Sequence, residues 1–346
     1  LSDQAKARGL KFGLWVEPEM VNTRSALATA HPDWLLQEPA RKQRLGRGHT
    51  QTVLDFTNPA VIDNVYGQLD ALFASVPDLR YVKWDANANF YNYGCTGLPR
   101  DRQANLWFDY TVGVYDLFAR VTAKYPNLVF QACSSGGGHM DYGFLAYADE
   151  FWTSDDSDAR ERVFIQWGAS QFYPACTMAA HVTASPNHQT RRTTPLKFRF
   201  DVAMTGRLGF ELHPKDLTAD EIKFAKQCVA DYKRLRPTIQ QGDLYRLASP
   251  YENEFSSLMY ASADKSSAVV FYLGLARGIR REYTPRLQLD GLDPAKRYRI
   301  REINAMGRRH SQLDGKTVGG DALMKAGILA NLNGDYDSAV FELTAE

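Results

Sequence analysis

The sequence is poor in the features that would tie it to a metal, a disulfide framework, a nucleic acid or a bilayer. Four cysteines occur, Cys95, Cys133, Cys176 and Cys228, far apart and never as CxxC. That spacing argues against both a zinc site and a disulfide framework. There is no HExxH, and His181 and His188 in AAHVTASPNHQTRR have no carboxylates at ligand spacing. They read as hydrogen-bonded structural histidines, and neither metal nor cofactor is expected. Lys and Arg number 41 against 40 Asp and Glu, a formal net charge of +1 without any basic block. Nucleic acid and an anionic membrane surface are therefore not expected partners. No apolar run reaches the length needed to cross a bilayer. The N-terminus carries no signal peptide, but LSDQAKARGLKFGLW lacks an initiator Met and opens in a helix-to-strand pattern. It reads as a fragment or a processed product, which leaves localisation open.

What is present is an ordinary globular composition, 44% hydrophobic and 23% charged over 346 residues, enough for one large domain and a smaller one. Aromatic residues make up 12%, with six Trp and eighteen Tyr, which suits a protein that stacks sugar rings as well as a large core.

Up to about residue 240, strand-like and helical runs alternate. LKFGLWV (10–16), RYVKW (80–84), NLVFQAC (127–133), EFWTS (150–154) and MTGRLGFEL (204–212) read as strands. Helices are expected over 58–76, 105–125, 158–170 and 218–239, the last opened by a capping box of Thr218 and Glu221. Such alternation indicates a parallel sheet. Chemistry-bearing residues follow at least four of these strands, which favours a (β/α)8 barrel over an open sheet. From residue 242 short strand-like runs with turns between them predict an antiparallel β-sandwich. The expected division is a catalytic barrel over 1–241 and a β domain over 242–346. The polar, basic stretch 37–51 reads as a surface loop near the strand ends, a solvated loop or a substrate lid.

YVKWDANANF (81–90) is a buried strand running into a polar loop. Lys83 and Asp85 share strand parity, so both face one side while Trp84 faces the other. A lysine beside a carboxylate keeps it ionised, and an ionised, positioned carboxylate can attack an anomeric carbon. The alternative is that Asp85 caps the next helix. A partner is offered by WTSDDSDAR, where Asp156 or Asp158 suits a helix cap and Asp155 is first after the strand. Retaining glycosidases hold two carboxyls about 5–5.5 Å apart. The glycines of CSSGGGHMDYG (133–143) admit close approach of backbone N–H groups to a ligand, or simply a tight turn. In WVEPEMVN, Glu17 and Glu19 are either acid/base candidates or hydrogen-bonded members of a site wall, and Trp15 can stack on a sugar.

Taken in order, LWVEPEMV, VLDFTNP, YVKWDANA, CSSGGG, WTSDDSDA and AAHVTASPNHQTRR resemble the retaining α-galactosidases of glycoside hydrolase family 36, over residues 8 to 240. The resemblance implies a (β/α)8 barrel with a C-terminal β domain, and cleavage of terminal α-galactose from melibiose- and raffinose-type sugars through a covalent intermediate. It implies Asp85 as nucleophile and Asp155 as acid/base, protonated at rest. It also implies substrate contacts from Trp15, Lys83, Asn87, Cys133 and Gly136. Family members are often oligomers, so a homo-oligomer is an expectation. The family's DDGW segment has no counterpart here, so the barrel reads as lacking its first strands. Arginines of the family pattern are replaced by Ala88, by His49 or Thr50, and by His139. Galactosyl transfer of the raffinose-synthase kind, α-N-acetylgalactosaminidase activity and an inactive carbohydrate-binding fragment are the competing readings.

Overall fold

The computed structural model describes residues 1–38, 45, 50–87, 93–276, 286–307, 310–332 and 334–346. The chain divides into two compact units, Leu1–Asp155 and Asp156–Glu346.

The first unit contains α1 (Ser2–Ala7), β1 (Phe12–Val16), β2 (Met20–Asn22), α2 (Ala26–Ala30), β3 (Gln51–Val53), α3 (Pro59–Ala74), β4 (Leu79–Trp84), α4 (Leu106–Lys124), β5 (Val129–Ala132) and β6 (Glu150–Trp152). Strands β1, β4, β5 and β6 lie side by side, all parallel. The β2–β3 pair is a separate antiparallel ladder. α3 starts where Asn58 caps the Ala60 N–H and Pro59 takes the first helical position, where its missing N–H costs nothing. Its apolar positions Val61, Ile62, Val65, Leu69 and Phe73 form one buried stripe. α4 buries Leu106, Tyr110, Gly113, Val114, Leu117, Phe118 and Val121 in the same way.

Register sets which side chains share a face. Trp15, Lys83, Gln131 and Glu150 form one rung across the sheet. The next rung in the opposite sense is Val16, Trp84, Ala132 and Phe151, all buried. Trp84 packs on Phe118 of α4, with ring centroids 4.0 Å apart. The helices therefore cover the Trp84 face. Lys83 and Asp85 belong to the other face, as strand parity predicts.

The second unit contains α5 (Ala159–Ala169), β7 (Met178–Thr183), α6 (Leu196–Ala203), β8 (Arg207–Glu211), α7 (Ala219–Gln241), β9 (Asp243–Ala248), β10 (Phe255–Ala261), β11 (Ser267–Gly274), β12 (Arg297–Ile303), β13 (Thr317–Gly319), α8 (Gly320–Ala326) and β14 (Ser338–Ala345). β7 and β8 pair in parallel. β9 to β14 make one antiparallel sheet in the order β13-β12-β14-β11-β10-β9. One of its faces packs on α5, α6 and α7 through residues such as Val163, Phe198, Leu235, Tyr260 and Phe271. The other holds Met259, Tyr272, Tyr298, Phe341 and Leu323. The sandwich expected from the sequence thus takes the form of a single sheet between two apolar layers among the described residues. α7 opens with the expected capping box of Thr218 and Glu221.

Among the described residues, the six parallel strands, four in the first unit and two in the second, are of the TIM-type barrel class, and the antiparallel sheet follows them in the chain. β7 and α6 are elements that the sequence pattern did not disclose. MAAHVT is buried on both faces and does not alternate, and LKFRFDVA is entirely buried although three of its eight residues are charged. Among the described residues, no helix is long and apolar enough to cross a membrane, and no group of three or more His, Cys, Asp or Glu is placed to hold a metal ion.

Candidate active site

The site grows from the ends of β1, β4, β5 and β6, all in the first unit. Ladder bonds run one residue beyond the strands: the Asp85 N–H donates to the Val16 carbonyl (2.9 Å) and the Cys133 N–H to the Trp84 carbonyl (2.7 Å). These bonds place Asp85 and Cys133 on a rung that continues the Lys83 face.

The Asp85 side chain is surrounded by donors. Oδ2 accepts from the Trp15 indole N–H (3.1 Å) and the Asn87 amide (2.8 Å), and Oδ1 accepts from the Ala86 N–H (2.9 Å). The Cys133 thiol donates to the same carboxylate. Asp85 is only 6% exposed. Burial pushes its pKa up, but the hydrogen bonds from Asn87, Cys133, Trp15 and Ala86 outweigh burial and leave it below the ordinary aspartate value. These donors, rather than the Lys83 ammonium invoked from the sequence, keep Asp85 charged. Lys83 instead lies over the Trp152 ring, 4.7 Å from its centroid. The Cys133 thiol is pushed up to about 12, chiefly by burial, so it is a neutral donor to Asp85.

Both glutamates of WVEPEMVN are fully engaged. Glu17 Oε1 accepts from the Asn87 backbone N–H (2.8 Å) and side-chain amide (2.7 Å), and Oε2 accepts from Gln51 (2.6 Å). The two hydrogens of the Asn87 amide are thus spent on Glu17 and Asp85, so Glu17 orients the donor that orients Asp85. Glu19 faces the helices, completely buried, and accepts from Trp84 (2.9 Å) and Tyr110 (2.7 Å) and pairs with His139 Nε2 (2.8 Å). Burial raises its pKa, but the His139 charge and these hydrogen bonds outweigh burial and hold it below the ordinary glutamate value. Glu17 therefore belongs to the site wall, and Glu19 to the packing between the sheet and its helices.

The glycine-rich turn lies against the segment that carries Asp155. Gly136 has φ +89°, and a Cβ there would stand 2.8 Å from the Asp155 nitrogen and 2.9 Å from the Ser154 Cα. A Cβ on Gly137 would stand 2.9 Å from the Thr153 carbonyl oxygen. The glycines are needed for backbone-on-backbone packing of neighbouring strand ends. Ser134 Oγ ties the same turn to the Ala86 carbonyl (3.0 Å).

Asp155 is exposed, and its Oδ1 accepts from the Trp152 indole N–H (3.1 Å). The neighbouring aspartates are spent otherwise, within the second unit. Asp156 accepts from the Asp158 N–H (3.0 Å). Asp158 is the N-cap of α5, accepting from Arg160 N (2.8 Å) and Glu161 N (3.3 Å), and is gripped by Arg192 (2.6 Å) and Thr190. Of the three candidates, Asp155 alone stands at the strand end with an open carboxyl.

The structure brings together Trp15, Lys83, Asp85, Asn87 and Cys133, with Gly136 and Trp152 beside Asp155. Trp15 is 54% exposed, with its N–H on Asp85. His181 lies in the second unit, on β7 at 3.7 Å from Glu211. Trp152 and the orienting part of Glu17 were missed by sequence reasoning. An aromatic residue closing the strand before SDD was the available signal for Trp152. Most of the loop 37–51, with His49, and Ala88 lie outside the described residues.

A parallel β/α sheet with a donor-caged carboxylate at one strand end and a second carboxyl two strands away is the arrangement of the TIM-type barrel class, which carries its polar side chains at the strand ends. Residues 1–242 match the Melibiase family model, and residues 255–343 match that of the glycosyl hydrolase family 36 C-terminal domain. The chain belongs to this family. It is 41% identical over its whole length to α-galactosidase AgaA of Geobacillus stearothermophilus and 36% identical over 97% of its length to α-galactosidase 1 of Pediococcus pentosaceus. It covers 45% and 43% of those proteins, so it spans less than half of their length. A crystal structure of an AgaA variant in complex with raffinose superposes with a TM-score of 0.91 at 39% identity, covering all of this chain and 46% of that one.

Proposed function

We propose that the chain carries the catalytic carboxylates of a retaining α-galactosidase acting on terminal α-galactose of raffinose-type oligosaccharides. Asp85 is the nucleophile and Asp155 the acid/base. The observation that carries this reading is Asp85 itself, held charged and fixed by four donors at the end of β4. Relatives named α-galactosidases, and structures of such relatives with raffinose and stachyose, support the choice of sugar.

In the first step an Asp85 oxygen bonds to the anomeric carbon. The glycosidic C–O bond breaks, and Asp155 gives its proton to the leaving oxygen. In the second, water adds to that carbon as Asp155 takes a proton from it, and the ester to Asp85 is released. The Lys83 ammonium and the Trp15 ring face are directed at the sugar. Asn87, with both amide hydrogens committed, offers its carbonyl to a sugar hydroxyl, and Cys133 and Gly136 bound the floor of the subsite. The catalytic part ends at Gln241, the last residue of α7, and the β domain begins with β9 at Asp243.

The test is mass spectrometry of the protein after incubation with a galactose-configured cyclophellitol aziridine. A covalent label on the peptide carrying Asp85, absent in Asp85→Asn, is the expected result. Absence of label from a protein extended to the length of its relatives would overturn the reading.

A further inference from the structure

We propose that Trp152 is the positioning residue of the acid/base step: its indole N–H holds Oδ1 of Asp155, so that Oδ2 is the oxygen presented to the leaving group. The inference rests on the assignment of Asp155 given above and assigns a residue that assignment does not include.

Trp152 closes β6 and is buried, so its ring has a fixed place. It shares a sheet face with Asp85, because Ala132 pairs with Phe151 and the residues that follow them are Cys133 and Trp152. Its N–H lies 3.1 Å from Oδ1 of Asp155 three residues on, and among the described residues no hydrogen bond reaches Oδ2. An exposed aspartate otherwise samples several rotamers, and each rotation moves the proton away from the glycosidic oxygen. Here both ends are restrained. Gly136 packs against the backbone nitrogen of Asp155, and Trp152 grips the carboxyl. The face of the same ring carries the Lys83 ammonium. The indole thus links the cation directed at the sugar to the carboxyl that protonates the departing group.

The consequence is specific to proton transfer. A 4-nitrophenyl leaving group departs with little protonation, whereas the alkoxide of a disaccharide needs it. In the whole protein, Trp152→Phe keeps a ring under Lys83 and removes the N–H. The ratio of kcat/KM for 4-nitrophenyl α-galactoside to that for melibiose is expected to widen by about tenfold or more. Azide should partly restore turnover of the aryl substrate by attacking the anomeric carbon of the intermediate. The ester to Asp85 breaks, and α-galactosyl azide forms without any proton being removed.

Two controls keep the proposal falsifiable. Replacement of Trp152 by 3-benzothienylalanine deletes the N–H with almost no change of shape and should reproduce the widened ratio even if Trp152→Phe folds poorly. In an Asp155→Ala background the substitution should add nothing to the ratio, because the residue acts through Asp155. An equal fall on both substrates, an unchanged ratio, or the same added factor without Asp155 would overturn it. If the unsubstituted protein neither cleaves α-galactosides nor takes the label on Asp85, the functional assignment fails and this inference with it. Failure of the ratio test in a protein that is active and labelled counts against Trp152 alone.

Discussion

Glu19 shows how much one carboxylate can organise from the helix-covered face of the sheet. It joins the β1 end, Trp84 of β4, Tyr110 of α4 and His139 of the glycine-rich turn, and is completely buried. Family resemblance placed an arginine where His139 stands, and the structure shows the imidazole taking over as partner of the buried anion. Because its pKa is held below the ordinary glutamate value of 4.5, Glu19 contributes stability that is fully present above that pH. That stability is lost as the pH falls through the lower folded value. Asp85 and Asp158 are depressed too and add in the same direction. Glu19→Gln should therefore lower the urea midpoint clearly at pH 7, with the gap to the unsubstituted protein closing progressively below about pH 4.5. A gap that stays constant down to pH 3 would show that the charge is not what stabilises this cluster.

At the scale of elements, two helical glycines of the first unit make opposite predictions. Gly113, in the middle of α4, lies where a Cβ would come within 1.9 Å of the Phe56 carbonyl oxygen, so the helix packs there on bare backbone. Gly67, in the middle of α3, has nothing within 4 Å of the same position. Gly67→Ala should raise stability by about 0.5–1 kcal/mol through helix propensity alone. Gly113→Ala should lower it by about 1–3 kcal/mol through overpacking. Thermal melts of both variants decide the matter, and a stabilised Gly113→Ala would refute the close approach. The helical period already separates the two, since Gly113 falls on the buried stripe of α4 and Gly67 opposite that of α3. What the period does not give is the partner, the Phe56 carbonyl, that makes a side chain at 113 too large.

At the scale of the whole molecule, the second unit is pinned by a buried polar cluster. Asp201 of α6 is fully buried, with Oδ2 accepting from Lys197 (2.5 Å) and Ser338 of β14 (2.7 Å) and Oδ1 from Asn304 (2.7 Å). Asn304 in turn accepts from the Cys228 thiol of α7 (3.2 Å). This cluster fastens two helices of the β/α part to the antiparallel sheet through satisfied groups. Asp201→Ala strands the Lys197 charge in the interior and should cost about 3–5 kcal/mol. The joint change Lys197→Met with Asp201→Leu should cost less than that single change, since no charge remains unpaired. Denaturant unfolding of both variants measures this, and a loss under about 1 kcal/mol for Asp201→Ala would show that the cluster does not hold the unit together.

Much of this protein was legible in the sequence, where local signals and tertiary outcome agree. The capping box of Thr218 and Glu221, Pro59 at the start of α3, the parity of Lys83, Trp84 and Asp85, and Asp158 as a cap are all local and all hold in the fold. The parallel strands were readable wherever they run into polar turns, which is why the aspartates of YVKWD and WTSDD stood out. Three matters were decided only by the folded chain. β7 and α6 carry no periodic signal because every side of them is covered, and charged residues inside α6 find partners far away in sequence. The charge of Asp85 is set by donors from β1, β5 and its own loop, up to 70 residues distant, which no spacing rule reveals. Gly136 acquires its place beside Asp155 only when the ends of β5 and β6 lie side by side, although the Trp152–Asp155 hydrogen bond itself spans just three residues. Residue type and strand parity are properties of the chain, whereas hydrogen-bond partners and close backbone approach exist only once distant segments meet.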